Sequence, residues 1–509
     1  MPSGPGREAV AVSSGDDRPF YGAAVVRCPD GQAAAARVRQ FGEHFGARVA
    51  DLYAAMEEEL VTLHLVIALD AEGGYVDLTW PVSGEQYPAI SEILPAAFVE
   101  ECEIFEQFGV RPADNKPLNR VAIPPRAEAH FPRLGPAPGH EGRHPRAPHY
   151  VAGEAFEFPF GPVRAVAQES LYIGLVTSGE EVIDLYLMQW HKHRGLERRL
   201  QGLPPERALF FVERMEGLSA VGNGWAFCRA LEGCAGVQVP PPIERVRGIA
   251  LELERLYNHA AAVAALAQAT GLSVGQAQAE IVLEQLLRLN SVVFGHRYLF
   301  GVLALGGVHR APEAGALREL LGSAVDGLRR EIEALRSTNS FMDRLEACGI
   351  VSPEVAQRLA VVGPVARGSG QNRDARRDHP FGPYLDERVE VATRASGDVL
   401  SRLEVVATEA AESARLIGEF CRAGLRAQAS SRPVHLPRSA SALGWSESSR
   451  GESLVSILVD DNELSRVRLR PASVRNWRAF DDAARSRNVF TDVPIIEASF
   501  WLTVAGFAR

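Results

Sequence analysis

The sequence predicts an α+β protein, in which a small N-terminal α+β domain precedes a mainly helical domain edged by small β-sheets. Residues 19–123 mix helical and strand-like patterns. Residues 124–150 are rich in proline, which neither continues a helix nor donates to a sheet. Apolar stripes of helical spacing follow in residues 151–509. We therefore predict two domains, joined by an extended linker at 124–150 and preceded by a disordered N-terminus at 1–18.

The first domain carries both types of pattern within a short span. Residues 33–56 have the composition of a helix. Residues 61–70 and 75–83 are rich in apolar and β-branched side chains and predict strands.

The second domain begins with a predicted strand pair in residues 158–190 and then becomes helical. Residues 241–271 predict a long helix with one apolar stripe, made by Ile249, Leu253, Leu256, Ala260 and Val263. Further helices are predicted at 273–301, at about 313–340 and at about 385–426. Residues 453–473 predict a hairpin with Asp460, Asp461 and Asn462 at its turn.

Composition excludes several classes of protein. The 509 residues are 46% hydrophobic, which is enough to fill large cores. The formal charge of −10 argues against nucleic acid as a partner. No long uncharged apolar window and no signal-peptide core are present, so we expect a soluble or peripheral protein that starts in the cytoplasm. The six cysteines form no C-x-x-C pair, which suits a reducing compartment.

The linker contains four histidines that raise the question of a metal site. They are His130, His140, His144 and His149. A proline-rich segment offers no fixed shell to orient the imidazoles, so a plain linker is the favoured interpretation.

Several segments together resemble a known family. In the first domain, Glu100, Glu103, Phe105, Phe108 and Gly109 follow the signature of the 30 kDa subunit of respiratory complex I. In the second domain the matching segments begin at Phe160, His193, Glu244, Val362 and Arg466. The chain thus resembles the large subunit of membrane-bound, formate hydrogenlyase-type nickel-iron hydrogenases and its homologue, the 49 kDa subunit of complex I, fused behind a 30 kDa-like domain.

The resemblance implies where a nickel-iron centre would be bound. Such hydrogenases hold the two metals through two C-x-x-C pairs, because soft thiolates suit both metals. At the matching positions this chain has Glu216 and Ser219 for the first pair and Thr503 and Gly506 for the second. Cys228 falls outside the first pair. We therefore expect no nickel-iron centre and no cofactor bound by this chain.

In complex I, as the resemblance implies, the former metal cavity is part of the quinone chamber. That family has a histidine in the turn where this chain has Arg164, and a tyrosine where this chain has Gly217. Glu216 keeps a carboxylate at the family's aspartate position. Quinone is a possible ligand, but the usual histidine and tyrosine cannot serve it here.

Seven polar residues are candidates for lining such a chamber, namely Glu216, Ser219, Arg247, Glu254, His259, Arg367 and Asp374. Arg247, Glu254 and His259 share one predicted helix, where they either line the cavity or form ordinary ion pairs. Arg367 either points into the chamber or braces its own loop through Asp374 and Asp378. The sequence leaves both alternatives open.

The resemblance implies a hydrophilic subunit of a complex related to NADH:quinone oxidoreductase or to energy-converting hydrogenases. Such a subunit is peripheral, on the cytoplasmic face of the membrane. It would assist electron and proton transfer towards quinone, with iron–sulfur clusters in a small partner subunit and antiporter-like subunits in the membrane. The alternative is a redox-inactive structural or coupling subunit. Nucleotide-binding motifs are absent, and whether the chain is itself an enzyme is left open.

Overall fold

The computed structural model describes residues 20–45, 47–113, 118, 121–123, 134–135, 155–164, 169–425, 429–485 and 487–509. The predicted disordered N-terminus, and the linker with its four histidines apart from residues 134–135, lie outside these ranges. The described part is a mixed α+β structure, as predicted.

A sheet with strand order β2-β5-β4-β3 forms the body of the N-terminal part. Its strands are β2 (Ala24–Arg27), β3 (Arg48–Glu57), β4 (Leu60–Leu69) and β5 (Gly74–Pro81). Helix α1 (Gly31–Phe45) precedes β3, and helix α2 (Phe98–Phe108) follows the short strand β6 (Gln86–Tyr87), which pairs with β7 (Arg111–Pro112). The patterns of residues 61–70 and 75–83 form β4 and β5, which confirms both predictions.

The helix predicted over residues 33–56 is wrong in its second half. The chain is helical to Phe45, but Arg48–Glu57 forms β3, paired along its length with β4. Alanine-rich composition favours a helix, yet the first eight residues of β3 are all buried. Burial on both faces of the sheet outweighs this local preference.

The second part opens with a sheet of order β10-β9-β8, comprising β8 (Ala155–Phe160), β9 (Tyr172–Ser178) and β10 (Glu181–Met188). The predicted strand pair is therefore joined by a further strand. Short helices follow, α3 (Leu196–Leu200) and α4 (Pro205–Glu213), and then α5 (Ala220–Cys234).

A bundle of long helices forms the centre of the second part. It contains α6 (Pro241–Ala269), α7 (Ser273–Phe294), α8 (Ala314–Arg336) and, later in the chain, α13 (Val399–Arg422). The predicted apolar stripe of α6 is fully buried. Strands β11 (Leu303–Ala304) and β12 (Gly307–Val308) and helices α9 (Asn339–Leu345), α10 (Pro353–Arg358), α11 (Gly363–Gly368) and α12 (Ala375–Asp378) connect these helices.

Two predicted helix boundaries are corrected by the structure. The helix expected at 313–340 ends at Arg336, and α9 begins as a separate helix at Asn339. The helix expected to begin near residue 385 begins at Val399. Gly397 takes a left-handed φ of 72°, and the Asp398 carboxylate accepts from the backbone N–H of Ser401 at 2.8 Å. This N-cap fixes the later start.

The chain ends with a meander and two helices, namely β13 (Ser439–Ser448), β14 (Gly451–Asp460), β15 (Glu463–Arg470), α14 (Ala472–Arg485) and α15 (Val493–Phe500). The predicted hairpin is confirmed as β14 and β15. Asp461 and Asn462 form its turn with φ values of 48° and 66°. Two positive φ values are what a two-residue hairpin turn requires, and Asp and Asn tolerate them.

The N-terminal part packs directly against this C-terminal meander. Strand β1 (Phe20–Tyr21) pairs in parallel with β13. Arg468 of β15 pairs with Asp51 of β3 at 2.9 Å and with Glu103 of α2 at 2.8 Å, and all three are buried. These buried contacts hold the two parts of the chain together.

Candidate functional site

The two segments that resemble the metal-binding pairs of hydrogenases meet in the structure. Glu216 lies in the turn between α4 and α5, and Thr503 lies just after α15. The Thr503 hydroxyl donates a hydrogen bond to the Glu216 carboxylate. A Cβ built on Gly506 would lie 3.2 Å from the same Glu216 oxygen, Oε1. Residues that are 287 positions apart in the chain are therefore in contact.

Ser219 completes the set of four positions and binds an arginine. Ser219 precedes α5, and its hydroxyl accepts from Arg450 Nη1 at 2.8 Å. Arg450 lies in the tight turn between β13 and β14 and also donates to the backbone carbonyl of Trp501. One guanidinium thus links the turn before α5 to the segment after α15.

Glu254 closes the cluster from α6. It accepts hydrogen bonds from the backbone N–H groups of Val221 at 2.7 Å and Gly222 at 2.9 Å. These are N–H groups of the first turn of α5, which have no partner within their own helix. Because Glu254 is fully buried, desolvation raises its pKa to about 8 in spite of these two donors.

We call this set the Glu216 cluster. It consists of Glu216, Ser219, Glu254, Arg450, Thr503 and Gly506. Its side-chain members are all nine-tenths or more buried.

Two neighbouring side chains position the last segment of the chain against this cluster. The Glu169 carboxylate accepts from the backbone N–H groups of Val504 and Ala505. Arg194 donates to the carbonyls of Met215 and Ala505, both at 2.9 Å. Burial raises the pKa of Glu169, and the nearby Glu216 carboxylate adds to that effect.

Sequence reasoning missed three of the residues around this site, namely Glu169, Arg194 and Arg450. Arg194 lies in the matching segment that begins at His193 and could have been found there. The other two carry no local signal, because their roles depend on contacts with distant segments.

Arg367, Asp374 and His259 form a separate buried group, the Arg367 network. The guanidinium of Arg367 pairs with Glu409 at 2.7 Å, with Glu447 at 2.9 Å and with Asp374 at 3.2 Å. His259 bonds the other oxygen of Glu409 at 3.1 Å. Arg367 therefore does not join the Glu216 cluster.

The loop around Arg367 is held by further ion pairs. Arg376 pairs with Asp374 at 2.7 Å, and Arg377 pairs with Asp378 at 2.7 Å. These contacts are those of a braced loop, the second alternative left open by the sequence.

The three polar candidates on α6 contact three different elements. Arg247 binds Glu232 of α5 at 2.6 Å and the carbonyls of Ala304 and Gly307. Glu254 faces the start of α5, and His259 faces Glu409 of α13. The structure thus brings Glu254 to the Glu216 cluster but does not bring Arg247 or His259 there.

The structure also describes Arg164 and Gly217, the two residues that the sequence resemblance aligned with the quinone-contacting histidine and tyrosine of complex I. Arg164 makes a two-point ion pair with Glu497 of α15, at 2.7 and 2.8 Å. Gly217 is exposed, and no described atom would touch a Cβ built on it.

Two tryptophans lie in different surroundings. Trp501 lies beside the Glu216 cluster and donates to Asn258 at 3.1 Å, whereas Trp225 packs on Phe381.

The described residues carry neither a preformed metal cluster nor a membrane-spanning helix. Across these ranges, no group of three or more His, Cys, Asp or Glu side chains is arranged to hold a metal ion. No helix in the same part of the chain combines the length and apolar character needed to cross a bilayer.

Comparison with known proteins places the chain among respiratory and hydrogenase subunits. Residues 281–429 match the family described as "Respiratory-chain NADH dehydrogenase, 49 Kd subunit". The chain is 27% identical to "Formate hydrogenlyase subunit 5" of Escherichia coli over 449 residues, which is 81% of this chain and 75% of that protein. It is 28% identical to "Carbon monoxide-induced hydrogenase" of Rhodospirillum rubrum over 67% of this chain and 96% of that protein.

A complex I relative and a solved structure extend the comparison. "NADH-quinone oxidoreductase subunit 4" of Thermus thermophilus is 29% identical over 52% of this chain and 65% of that protein. A chain from the structure of an archaeal membrane-bound sulfane sulfur reductase has the same fold, with a TM-score of 0.64 and 21% identity, over 71% of this chain and all of that one. The chain is therefore similar both to the 49 kDa subunit of respiratory NADH dehydrogenase and to subunits of formate hydrogenlyase and hydrogenase-4.

Proposed function

We propose that this chain is a hydrophilic subunit of a membrane-associated complex related to NADH:quinone oxidoreductase and energy-converting hydrogenases. In this proposal it supports electron and proton transfer towards quinone and binds no nickel-iron centre. One observation carries the proposal. The four positions that correspond to thiolate ligands come together in space, and they hold a carboxylate, two hydroxyls and a glycine.

This donor set does not fit a nickel-iron centre. Such a centre needs soft thiolates that bridge two metals, and a carboxylate with hydroxyl groups does not replace them. The Thr503 hydroxyl donates a hydrogen bond to Glu216, and the Ser219 hydroxyl accepts one from Arg450, so these side chains already bind protein partners. Cys228 is buried in α5, and burial raises its thiol pKa, which opposes metal binding.

Two carboxyl groups in and beside the Glu216 cluster are suited to holding and moving protons. Quinone reduction to quinol consumes two electrons and two protons. A buried carboxyl whose pKa lies near neutrality can accept and release a proton at physiological pH. Glu254 has such a pKa, and the pKa of Glu169 is raised in the same direction. Iron–sulfur clusters of a partner subunit would supply the electrons.

The proposal includes the surroundings of the chain. The partners are an iron–sulfur small subunit and antiporter-like membrane subunits, and the chain is peripheral on the cytoplasmic face. Residues 19–123 would act as a 30 kDa-like domain fixed to the second part by the buried ion pairs of Arg468. This arrangement would hold the Glu216 cluster at a constant distance from an iron–sulfur partner.

A specific observation favours the alternative of a redox-inactive coupling subunit. The side chains of the Glu216 cluster bond to one another and to backbone groups, and Trp501 lies against them. A cluster satisfied in this way can act as a structural clamp between the turn before α5 and the segment after α15.

Quinone reduction by the purified complex containing this chain tests the proposal. We expect Glu254→Gln to lower the rate of short-chain quinone reduction at least about tenfold, because a positioned proton donor typically contributes more than that. Glu284→Gln removes an exposed carboxylate and serves as the matched control. An unchanged rate in Glu254→Gln, with the complex intact, would favour the structural alternative. Nickel near one atom per chain would overturn the assignment of the site.

A further inference from the structure

Arg229 is a largely buried arginine that forms no ion pair at contact distance with the described residues, although the charges of Glu244 and Glu232 act on it from farther away. It lies on α5, and its guanidinium carbon is 4.2 Å from the ring centre of Trp445 and 4.8 Å from that of Phe381. Among the residues that the structure describes, none accepts a hydrogen bond from it and no carboxylate lies within ion-pair distance. Its Nε is buried and unsatisfied, and its side chain lines a cavity.

Three other buried arginines among the described residues each have a carboxylate partner, whereas buried Arg402 and Arg450 donate to hydroxyl and carbonyl oxygens instead. Arg247 has Glu232, Arg367 has Glu409 and Arg376 has Asp374, each within 2.7 Å. Burying a guanidinium is unfavourable unless a partner compensates for the lost hydration. Desolvation accordingly lowers the pKa of Arg229 to about 10. The two aromatic rings offset part of this cost, but they accept no hydrogen bond along the plane of the guanidinium.

The cavity beside Arg229 is large enough for a small molecule. It has a volume of about 450 Å³ and lies between the end of α5, the start of α6, residues 382–387 and the end of α13. Such a volume is typical of ligand pockets. We call it the Arg229 pocket. Its apolar wall includes Val237, Val239, Pro383 and Phe420.

The charges around the pocket select the type of anion. Its charged lining consists of two arginines and four carboxyl groups, namely Arg229, Arg245, Glu232, Glu244, Asp386 and Glu387. These carboxyl groups oppose a group with two or more negative charges. The start of α6 offers little to a phosphate, because Pro241 and Pro242 have no N–H group to donate. A guanidinium instead matches a carboxylate through two parallel hydrogen bonds.

We propose that the Arg229 pocket binds a small organic monocarboxylate with an apolar body. The carboxylate accepts two hydrogen bonds from the guanidinium of Arg229, and the apolar body lies against Val239, Pro383 and Phe420. Arg229 lies in the second half of α5, whereas Glu216 and Ser219 precede the first residue of that helix, so this site is additional to the proposed function and does not depend on it.

Binding of two probes to the purified full chain tests this inference. Benzoate represents a monocarboxylate with an apolar body, and inorganic phosphate represents a compact anion. Ligand-observed NMR should show saturable benzoate binding that phosphate does not displace. Arg229→Gln should weaken benzoate binding about tenfold or more through loss of the charge-assisted pair. Arg288→Gln, which changes an exposed arginine, should bind benzoate as the native chain does.

A second variant keeps the test decisive if Arg229→Gln does not fold. Val239→Trp leaves Arg229 in place and fills the pocket from its half-buried wall, so it should also abolish saturable binding. Thermal unfolding of each variant without probe shows whether it is folded. Absence of saturable benzoate binding by the native chain would overturn the inference. Equal affinity in folded Arg229→Gln, or displacement by phosphate at equal concentration, would overturn it as well.

Discussion

Thr503 and Glu216 are 287 residues apart in the chain, and the Thr503 hydroxyl donates a hydrogen bond to the Glu216 carboxylate. The bond connects the segment after the last helix to the turn before α5. It links two of the four positions that the sequence resemblance aligned with the cysteine pairs of nickel-iron hydrogenases.

Replacing the hydroxyl tests the contribution of this bond to stability. Thr503→Val keeps the shape of the side chain but leaves the buried Glu216 oxygen without its donor. We expect the free energy of unfolding to fall by about 1–3 kcal/mol, as for other buried groups that lose a partner. Urea unfolding measures the change. Thr503→Ser keeps the hydroxyl and should lower the free energy of unfolding less than Thr503→Val does. Equal stability of the native chain and Thr503→Val would show that the hydrogen bond to Glu216 contributes nothing to stability.

Gly506 leaves little room for a side chain at the fourth position. A Cβ there would lie 2.9 Å from Pro471 Cγ and 3.2 Å from both Glu216 Oε1 and Val474 Cγ2. Gly506→Ala should therefore lower the free energy of unfolding by about 1–3 kcal/mol through overpacking.

Gly418→Ala is the control for Gly506→Ala, since no described atom lies within 4 Å of a Cβ at Gly418 in α13. It should be neutral or stabilising by up to about 1 kcal/mol, because alanine favours a helix more than glycine does. The two variants compared by thermal unfolding separate crowding from backbone effects. If Gly506→Ala and Gly418→Ala change the unfolding temperature equally, crowding around Gly506 does not destabilise the folded chain.

The sequence predicted some features of the fold and not others, for physical reasons. The turn at Asp461 and Asn462 was predictable because its cause is local, namely two residues that tolerate positive φ. Strand β3 was not, because its alanine-rich sequence favours a helix, whereas its pairing with β4 and the burial of its side chains on both faces of the sheet decide the outcome.

The sequence likewise predicted some residues of the candidate site and missed others. The resemblance pointed to Glu216 and Thr503 as members of one site, and the structure brings them into contact. Arg450 was missed because its role depends on a turn between two strands that approaches Ser219 from 231 residues away. Charge spacing on α6 grouped Arg247 with Glu254, but a helix 29 residues long meets different neighbours along its length.

The raised pKa of Glu254 makes the free energy of unfolding of the chain depend on pH. Its folded pKa of about 8 lies above its ordinary value of 4.5, so the folded state holds a proton that the unfolded state releases. The stabilisation from this proton is complete below pH 4.5 and is lost as the pH rises to about 8. One such group changes the free energy of unfolding by at most about 1.4 kcal/mol per pH unit.

Glu254→Gln should flatten this dependence between about pH 5 and pH 8. Unfolding temperatures are measured for the native chain and the variant at intervals across this range. The difference between the two should be constant at the acidic end and should change steadily towards the alkaline end. Glu284→Gln is the control, because Arg297 and Arg288 lower the pKa of the exposed Glu284 to about 2, so it titrates below this range. Parallel curves for the native chain and Glu254→Gln would refute the assignment of the raised pKa to Glu254.

Arg468 joins the two parts of the chain, and its removal should be far more damaging than removal of an exposed arginine. Arg468→Met leaves Asp51 and Glu103 buried with one fewer cation beside them. Uncompensated buried charges of this kind cost about 3–5 kcal/mol. Arg288→Met is the control, because it breaks only an exposed pair with Glu284 and should change stability little.

A second substitution identifies which carboxylate bears the loss of Arg468. Arg509 also pairs with Glu103, at 2.8 Å, so Glu103 keeps a cationic partner when Arg468 is removed. Asp51 loses the partner that Arg468 provided. Adding Asp51→Asn to Arg468→Met should therefore recover part of the stability measured by urea unfolding, because it removes the uncompensated charge. A double variant no more stable than Arg468→Met would show that the ion pair is not what holds the two parts together.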